Sequence, residues 1–306
     1  MRKRLFFLFK CLLSGGLLFY LFRKADFRLL WETFSSVSFP FLLCALGVLF
    51  LFHAASAWRW MMVGKYLSLP QSFGFFLKVY LIGVYFNTFL PGILGGDLVR
   101  VFYLVREGAG KLLASASIVY DRGFGLLAAV CLLLLFLPFE GAFLPLSLRQ
   151  ALYGLSGGML VGVGVLLLAL RPLQKRISHD LFLLIVSVAP LKRFFTLLLL
   201  GFLVQILYVI HVVFLAFSLG VKLSPVKFFL IVPVIGVLAS LPISLGGLGI
   251  REGAFVYFLG LLGYPREVGI ALGFLVYGVN LFLGLVGLLV YLRSPTPSRE
   301  ELQMVR

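Results

Sequence analysis

The stretch Asn87-Thr88-Phe89-Leu90-Pro91-Gly92-Ile93-Leu94-Gly95-Gly96-Asp97-Leu98-Val99-Arg100 breaks into an apolar run, and its second part returns 151 residues later as Pro242-Ile243-Ser244-Leu245-Gly246-Gly247-Leu248-Gly249-Ile250-Arg251. Both copies read Pro, three residues, Gly-Gly, three residues, Arg. Proline ends a helical hydrogen-bond ladder, and paired glycines let the backbone turn. The helix that follows presents unpaired N–H groups and the positive end of its dipole. Each copy follows an apolar span, introduced by Phe75-Phe76-Leu77 in one case and Phe228-Phe229-Leu230 in the other, and precedes a short helical segment and then a long span. A fixed-period repeat of this kind predicts two related halves, residues 40–137 and 194–292, with Gly95-Gly96 and Gly246-Gly247 at the turns of two hairpins.

The surroundings of these stretches set the solvent. Of 306 residues 62% are hydrophobic and 12% charged, about half the charged share of a soluble domain. Apolar runs near 20 residues long, without period-two alternation, predict helices, because no water is present in hydrocarbon to satisfy an open backbone. Eight such spans are expected, over residues 5–22, 40–63, 73–90, 112–137, 150–170, 194–219, 226–241 and 268–292. Segments 97–105 and 251–262 are helix-like but too short to cross, so each is expected to be the return limb of a re-entrant hairpin. The fold class is therefore an all-α polytopic membrane protein, with residues 1–292 as a single transmembrane domain and 293–306 as a polar tail. The first run is expected to be a retained span, since no small-residue cleavage site ends it.

The formal net charge of +16 would suggest a nucleic-acid partner in a soluble protein. Here the basic residues cluster at span ends, as in Arg2-Lys3-Arg4, Arg23-Lys24 and Lys192-Arg193, where they meet anionic lipid head groups, and no nucleic-acid partner is expected. The start favours a cytoplasmic N-terminus. Cys11, Cys44 and Cys131 lie inside apolar runs and imply neither a disulfide framework nor a metal site; no cofactor is expected.

Arginine placed one turn after each Gly-Gly adds a planar cation to a helix start, a combination suited to phosphate or carboxylate. Arg100 and Arg251 are the expected pair, with Arg122 as a third contributor to an anion chamber and Gly95, Gly96, Gly246 and Gly247 shaping it. The alternative is structural: intramembrane arginines pair with carboxylates, here Asp97 and Glu252, and adjacent Asp121 and Arg122 point to different partners. His53 and His211 are packing residues or proton carriers. Asn87, Gln205 and Asn280 are expected to bond between helices, and Trp31, Trp58 and Trp60 to sit at the interface.

At these residues the sequence resembles the membrane region of lysylphosphatidylglycerol synthases, the multiple-peptide-resistance proteins and their stand-alone flippase-like relatives. The matching features are Asn87 to Pro91 leading into Gly95-Gly96-Asp97-Leu98-Val99-Arg100, then Ser117-Ile118-Val119-Tyr120-Asp121-Arg122, and in the second half Leu241-Pro242 through Gly246-Gly247 to Arg251-Glu252. The resemblance implies a multi-pass protein of a bacterial or archaeal cytoplasmic (inner) membrane that moves lipids or lipid-linked groups between leaflets. The chain stops at Arg306 without the soluble aminoacyl-transferase domain of full-length synthases, so it is not expected to make lysylphosphatidylglycerol.

Three functions compete at this stage. The first is a flippase-like transporter of an anionic or phosphate-bearing lipid, without catalysis. The second is a lipid-phosphate enzyme using Asp97, Asp121 and Glu252, against which stand the lack of a His-Asp-Ser set, of metal-ligand spacing and of a nucleotide-phosphate loop. The third is a noncatalytic scaffold for a partner lipid-modifying enzyme, or a homo-oligomer, which needs only an exposed helix face.

Overall fold

The computed structural model describes residues 2–89, 95–168, 187–240 and 244–294. All eight segments expected as spans are helices: α1 (Arg2–Arg23), α3 (Phe39–Tyr66), α4 (Phe73–Phe89), α6 (Lys111–Glu140), α7 (Leu146–Leu168), α8 (Leu191–Ser218), α9 (Pro225–Ser240) and α11 (Arg266–Leu292). The two short segments are α5 (Gly95–Arg106) and α10 (Ile250–Leu261). Among the described residues one α-helix was not foreseen, α2 (Phe27–Ser35), whose N-cap Asp26 accepts from the N–H groups of Arg28 and Leu29. The expected interruptions at Pro91 and Pro242, most of the basic loop and the polar tail lie outside the described residues.

Among the described residues four helices are long and apolar enough to cross a membrane: α3, α6 with its 3-10 extension to Phe143, α8 and α11. The protein is a multi-pass membrane protein on that ground. By contrast α4 and α9, with 17 and 16 residues, are apolar but shorter. They reach about 26 and 24 Å at ~1.5 Å per residue, below the ~30 Å of a hydrocarbon core.

Helix lengths run 28, 17, 12 and 30 residues over α3 to α6 and 28, 16, 12 and 27 over α8 to α11. Corresponding long helices pack on one another in reverse. Ser38 N–H at the start of α3 donates to Ser218 O at the end of α8 (2.8 Å), Ala45 O lies 2.9 Å from His211 Nδ1, and the Phe52 ring meets Tyr208. Rising numbers on α3 therefore meet falling numbers on α8, and the two run antiparallel. Between the halves α4 also packs on α11, and α6 on both α8 and α9. Lys227 near the start of α9 pairs with Glu140 at the end of α6 (3.1 Å), so these too are antiparallel.

Each short helix returns alongside the helix before it. On α5, the Gly96 N–H donates to Asn87 Oδ1 of α4 (2.9 Å), and a Cβ on Gly96 would lie 2.2 Å from Gly83 O. Only glycine permits that approach. On the other side Gly246 and Gly247 take φ of +57° and +82°, the left-handed region in which glycine carries no Cβ penalty, and Gly247 lies against Ala239 of α9. The two glycine pairs thus differ: Gly246-Gly247 forms the turn before α10 as expected, whereas Gly95-Gly96 is already the first turn of α5. The expectation that Gly95-Gly96 sits at the hairpin tip is corrected, because close packing on α4 rather than a left-handed turn is what requires glycine there.

Candidate functional site

A cavity of about 740 Å³ lies between the halves, walled by α3, α4, α5 and α6 on one side and by α8, α9, α11 and the start of α10 on the other. Its charged wall is built around Arg100, which α5 carries inward because Gly96 lets that helix settle against α4. Nη2 of Arg100 donates to Asp121 Oδ2 (2.7 Å) and Nη1 to Asp97 Oδ1 (3.5 Å). Its guanidinium lies 4.0 Å from the Trp60 ring centroid and 4.7 Å from that of Tyr80. Cation–π contacts of this kind strengthen when desolvated. Asp121 also accepts from Arg59 Nε of α3 (2.9 Å), and Arg122 Nε donates to Asp97 Oδ2. The result is an alternating chain Arg59, Asp121, Arg100, Asp97, Arg122 that ties together α3, α5 and α6. Both Asp side chains are under 10% exposed, and all four of their oxygens are engaged.

The arginines are not equivalent. Arg100 is buried, whereas the Arg122 side chain is 42% exposed and lines the cavity. Across the cavity Arg251, 14% exposed, donates through Nη2 to Gly246 O (3.0 Å). Glu252, expected as its ion-pair partner, stands 3.9 Å from Arg251 Nη1 and has no exposed surface. Its Oε2 accepts from Gly249 N–H (2.6 Å), so it caps its own helix.

Of the residues singled out in the sequence, Asp97, Arg100, Asp121, Arg122, Gly246 and Arg251 line this one cavity. Gly95, Gly96, Gly247 and Glu252 do not; they shape or support the helices that do. The sequence register that equated Arg100 with Arg251 is corrected. Arg100 is the sixth residue of α5 and Arg251 the second of α10, while Asp97 and Glu252 are each the third. The extra residues that precede α10 after its glycine pair shift the helix start by about one turn relative to the motif.

Arg59 was missed, although an arginine inside an apolar run is itself the signal. Its flanking Trp58 and Trp60 drew the reading toward the interface. Trp58 is half-exposed and Trp31 exposed, as that reading requires, but Trp60 is wholly buried, and its Nε1–H donates to Ser117 Oγ (3.1 Å). Helix α3 runs on to Tyr66, which sets Arg59 and Trp60 well inside it. Counting from helix starts, His53 and Gln205 are both fifteenth, and Arg59 and His211 both twenty-first, in α3 and α8. Gln205 Nε2 donates to Gly125 O of α6 (2.9 Å) and Asn87 joins α4 to α5, whereas Asn280 bonds within its own helix to Val276 O.

No curated protein matches the chain. The family model of the lysylphosphatidylglycerol synthase transmembrane region matches residues 7–287, which is nearly all of the described helical body and includes every residue of the ion-paired cavity, and the chain belongs to that family.

Proposed function

We propose that the protein is a flippase-like lipid transporter of a bacterial or archaeal inner membrane, which holds the phosphate-bearing head group of an anionic lipid in the central cavity and passes it between leaflets without chemical change. The observation that carries this reading is an arginine-lined cavity whose wall includes residues of a short helix, or of the turn before it, from each half. Because α3 and α8 are antiparallel, the two hairpins α4–α5 and α9–α10 approach the cavity from opposite ends, as re-entrant elements of an inverted repeat do. Movement of one hairpin then opens the cavity to one side, and movement of the other opens it to the opposite side.

The accessible cations are Arg122 and Arg251, one from each half. A phosphate between them exchanges water for charge-assisted hydrogen bonds at low dielectric, where such bonds are strong. Arg100 is the fixed centre of the ion chain and holds the wall in place. The test is reconstitution into vesicles with a fluorescent acidic phospholipid in one leaflet and a quencher outside. Transport reads as loss of leaflet asymmetry that depends on the protein and is lost in Arg122→Gln. Equal scrambling by wild type and that variant would defeat the proposal.

A further inference from the structure

Resting on that reading, we infer that the cavity selects phospholipids that lack an ammonium group and rejects zwitterionic and cationic ones, including the lysyl ester for which the family is named. The argument is an inventory of donors and acceptors. The wall carries four guanidiniums, on Arg59, Arg100, Arg122 and Arg251, against two carboxylates, or three when Glu252 behind Arg251 is included. By either count the surplus is positive.

The two carboxylates on the wall are also spent. Both oxygens of Asp97 and both of Asp121 are bonded to arginine. Glu252 lies behind the wall, wholly buried, with one oxygen on Gly249 N–H and the other, which accepts no hydrogen bond, 3.9 Å from Arg251 Nη1. Among the described residues, no carboxylate on the cavity wall has an oxygen left for an incoming ammonium. Donors, by contrast, are in excess: Arg59 Nη1, Arg100 Nε and Arg251 Nη1 are buried with no hydrogen-bond partner. A guanidinium carries five N–H groups and no acceptor, so such a wall is matched by a ligand that brings oxygens and negative charge.

A glycerol phosphodiester such as phosphatidylglycerol brings both. Phosphatidylethanolamine adds an ammonium with no carboxylate to meet it, and lysylphosphatidylglycerol adds two. Each buried ammonium meets like charge at low dielectric, and rejection of this kind is how a site gains specificity.

The experiment offers purified protein in detergent an equimolar mixture of these three lipids and measures by mass spectrometry which remains bound. The expected result is retention of phosphatidylglycerol over lysylphosphatidylglycerol by at least about tenfold, with phosphatidylethanolamine between. Ser240→Asp, at an exposed cavity position, and Asn280→Asp, at a lining position on α11, each add a carboxylate to the wall and are expected to narrow that ratio severalfold. Equal or preferred retention of the lysyl ester by wild type overturns the inference while leaving transport standing, as does a ratio that neither aspartate variant moves. Retention of none of the three overturns the transport reading as well.

Discussion

Asp97 and Glu252 occupy the same place, third in the twelve-residue helices α5 and α10, and do opposite work. Asp97 pairs with Arg100 of its own helix and reaches across to Arg122 of α6, whereas Glu252 turns back to cap its own helix at Gly249. Helix lengths run closely alike over α3 to α6 and α8 to α11, but among the described residues the ion chain lies within α3, α5 and α6.

That difference separates two amide substitutions. Glu252→Gln keeps an acceptor oxygen for the Gly249 N–H, and Gln serves at this capping position, so the loss should stay near 1 kcal/mol or below. Asp97→Asn removes one of the two charges that offset three arginines and should cost several times more, toward the ~3–5 kcal/mol of a broken buried pair. Thermal unfolding in detergent measures both; equal Tm losses would mean that Glu252 carries charge compensation as well as a cap.

Trp60 gives a second test, because three roles meet in one wholly buried ring. It fills the space beside Phe76, donates to Ser117 and lies under Arg100. Trp60→Ala should cost about 3–5 kcal/mol from the cavity alone. Trp60→Phe keeps most of the volume and loses the hydrogen bond and part of the cation–π contact, about 1–2 kcal/mol together. If Trp60→Phe is as damaging as Trp60→Ala, packing is not the main contribution of the ring.

Gly96→Ala should separate α4 from α5, since the new Cβ would meet backbone oxygen of Gly83 and the Asn87 amide, neither of which can swing aside cheaply. A loss of about 1–3 kcal/mol is expected from overpacking. Gly154→Ala on α7 meets nothing within 4 Å and serves as the control. A mid-helix Gly to Ala change there should stabilise slightly, so Tm shifts of opposite sign are the expected readout.

How much of this was legible in the sequence follows from what each signal depends on. Apolar runs report the solvent directly, so all eight long segments were placed and their ends fell within a few residues. Helix α2 escaped because nine residues with Arg28 and Glu32 carry no span signal and depend on the Asp26 cap. The gathering of Asp97, Arg100, Asp121, Arg122 and Arg251 in one cavity was legible from the repeat and from the cost of intramembrane charge. Rank among those arginines was not, since it depends on which one Asp121, Trp60 and Tyr80 enclose, residues that come from three other helices. Arg59 lay hidden between two tryptophans for the same reason: its place in the ion chain depends on Asp121, which comes from α6.

The last prediction separates the arginine that builds the wall from the one that faces the ligand. Arg100→Gln leaves Asp121 to Arg59 alone and Asp97 to Arg122 alone, and it removes the cation from between Trp60 and Tyr80. Breaking a buried network at its centre is expected to cost about 3–5 kcal/mol, so Tm and folded yield should fall before any transport is measured. Arg122→Gln acts at the exposed end of the same chain, where solvent screens much of the charge, and Asp97 keeps Arg100. Its Tm should move little while the initial rate of lipid translocation drops by about tenfold or more, the effect of losing one charge-assisted contact to phosphate. Arg122→Lys preserves the charge without the planar fork and should fall between wild type and Gln in rate. Should Arg100→Gln instead keep its Tm and lose only transport, the buried arginine would be the ligand's contact and the exposed one its support.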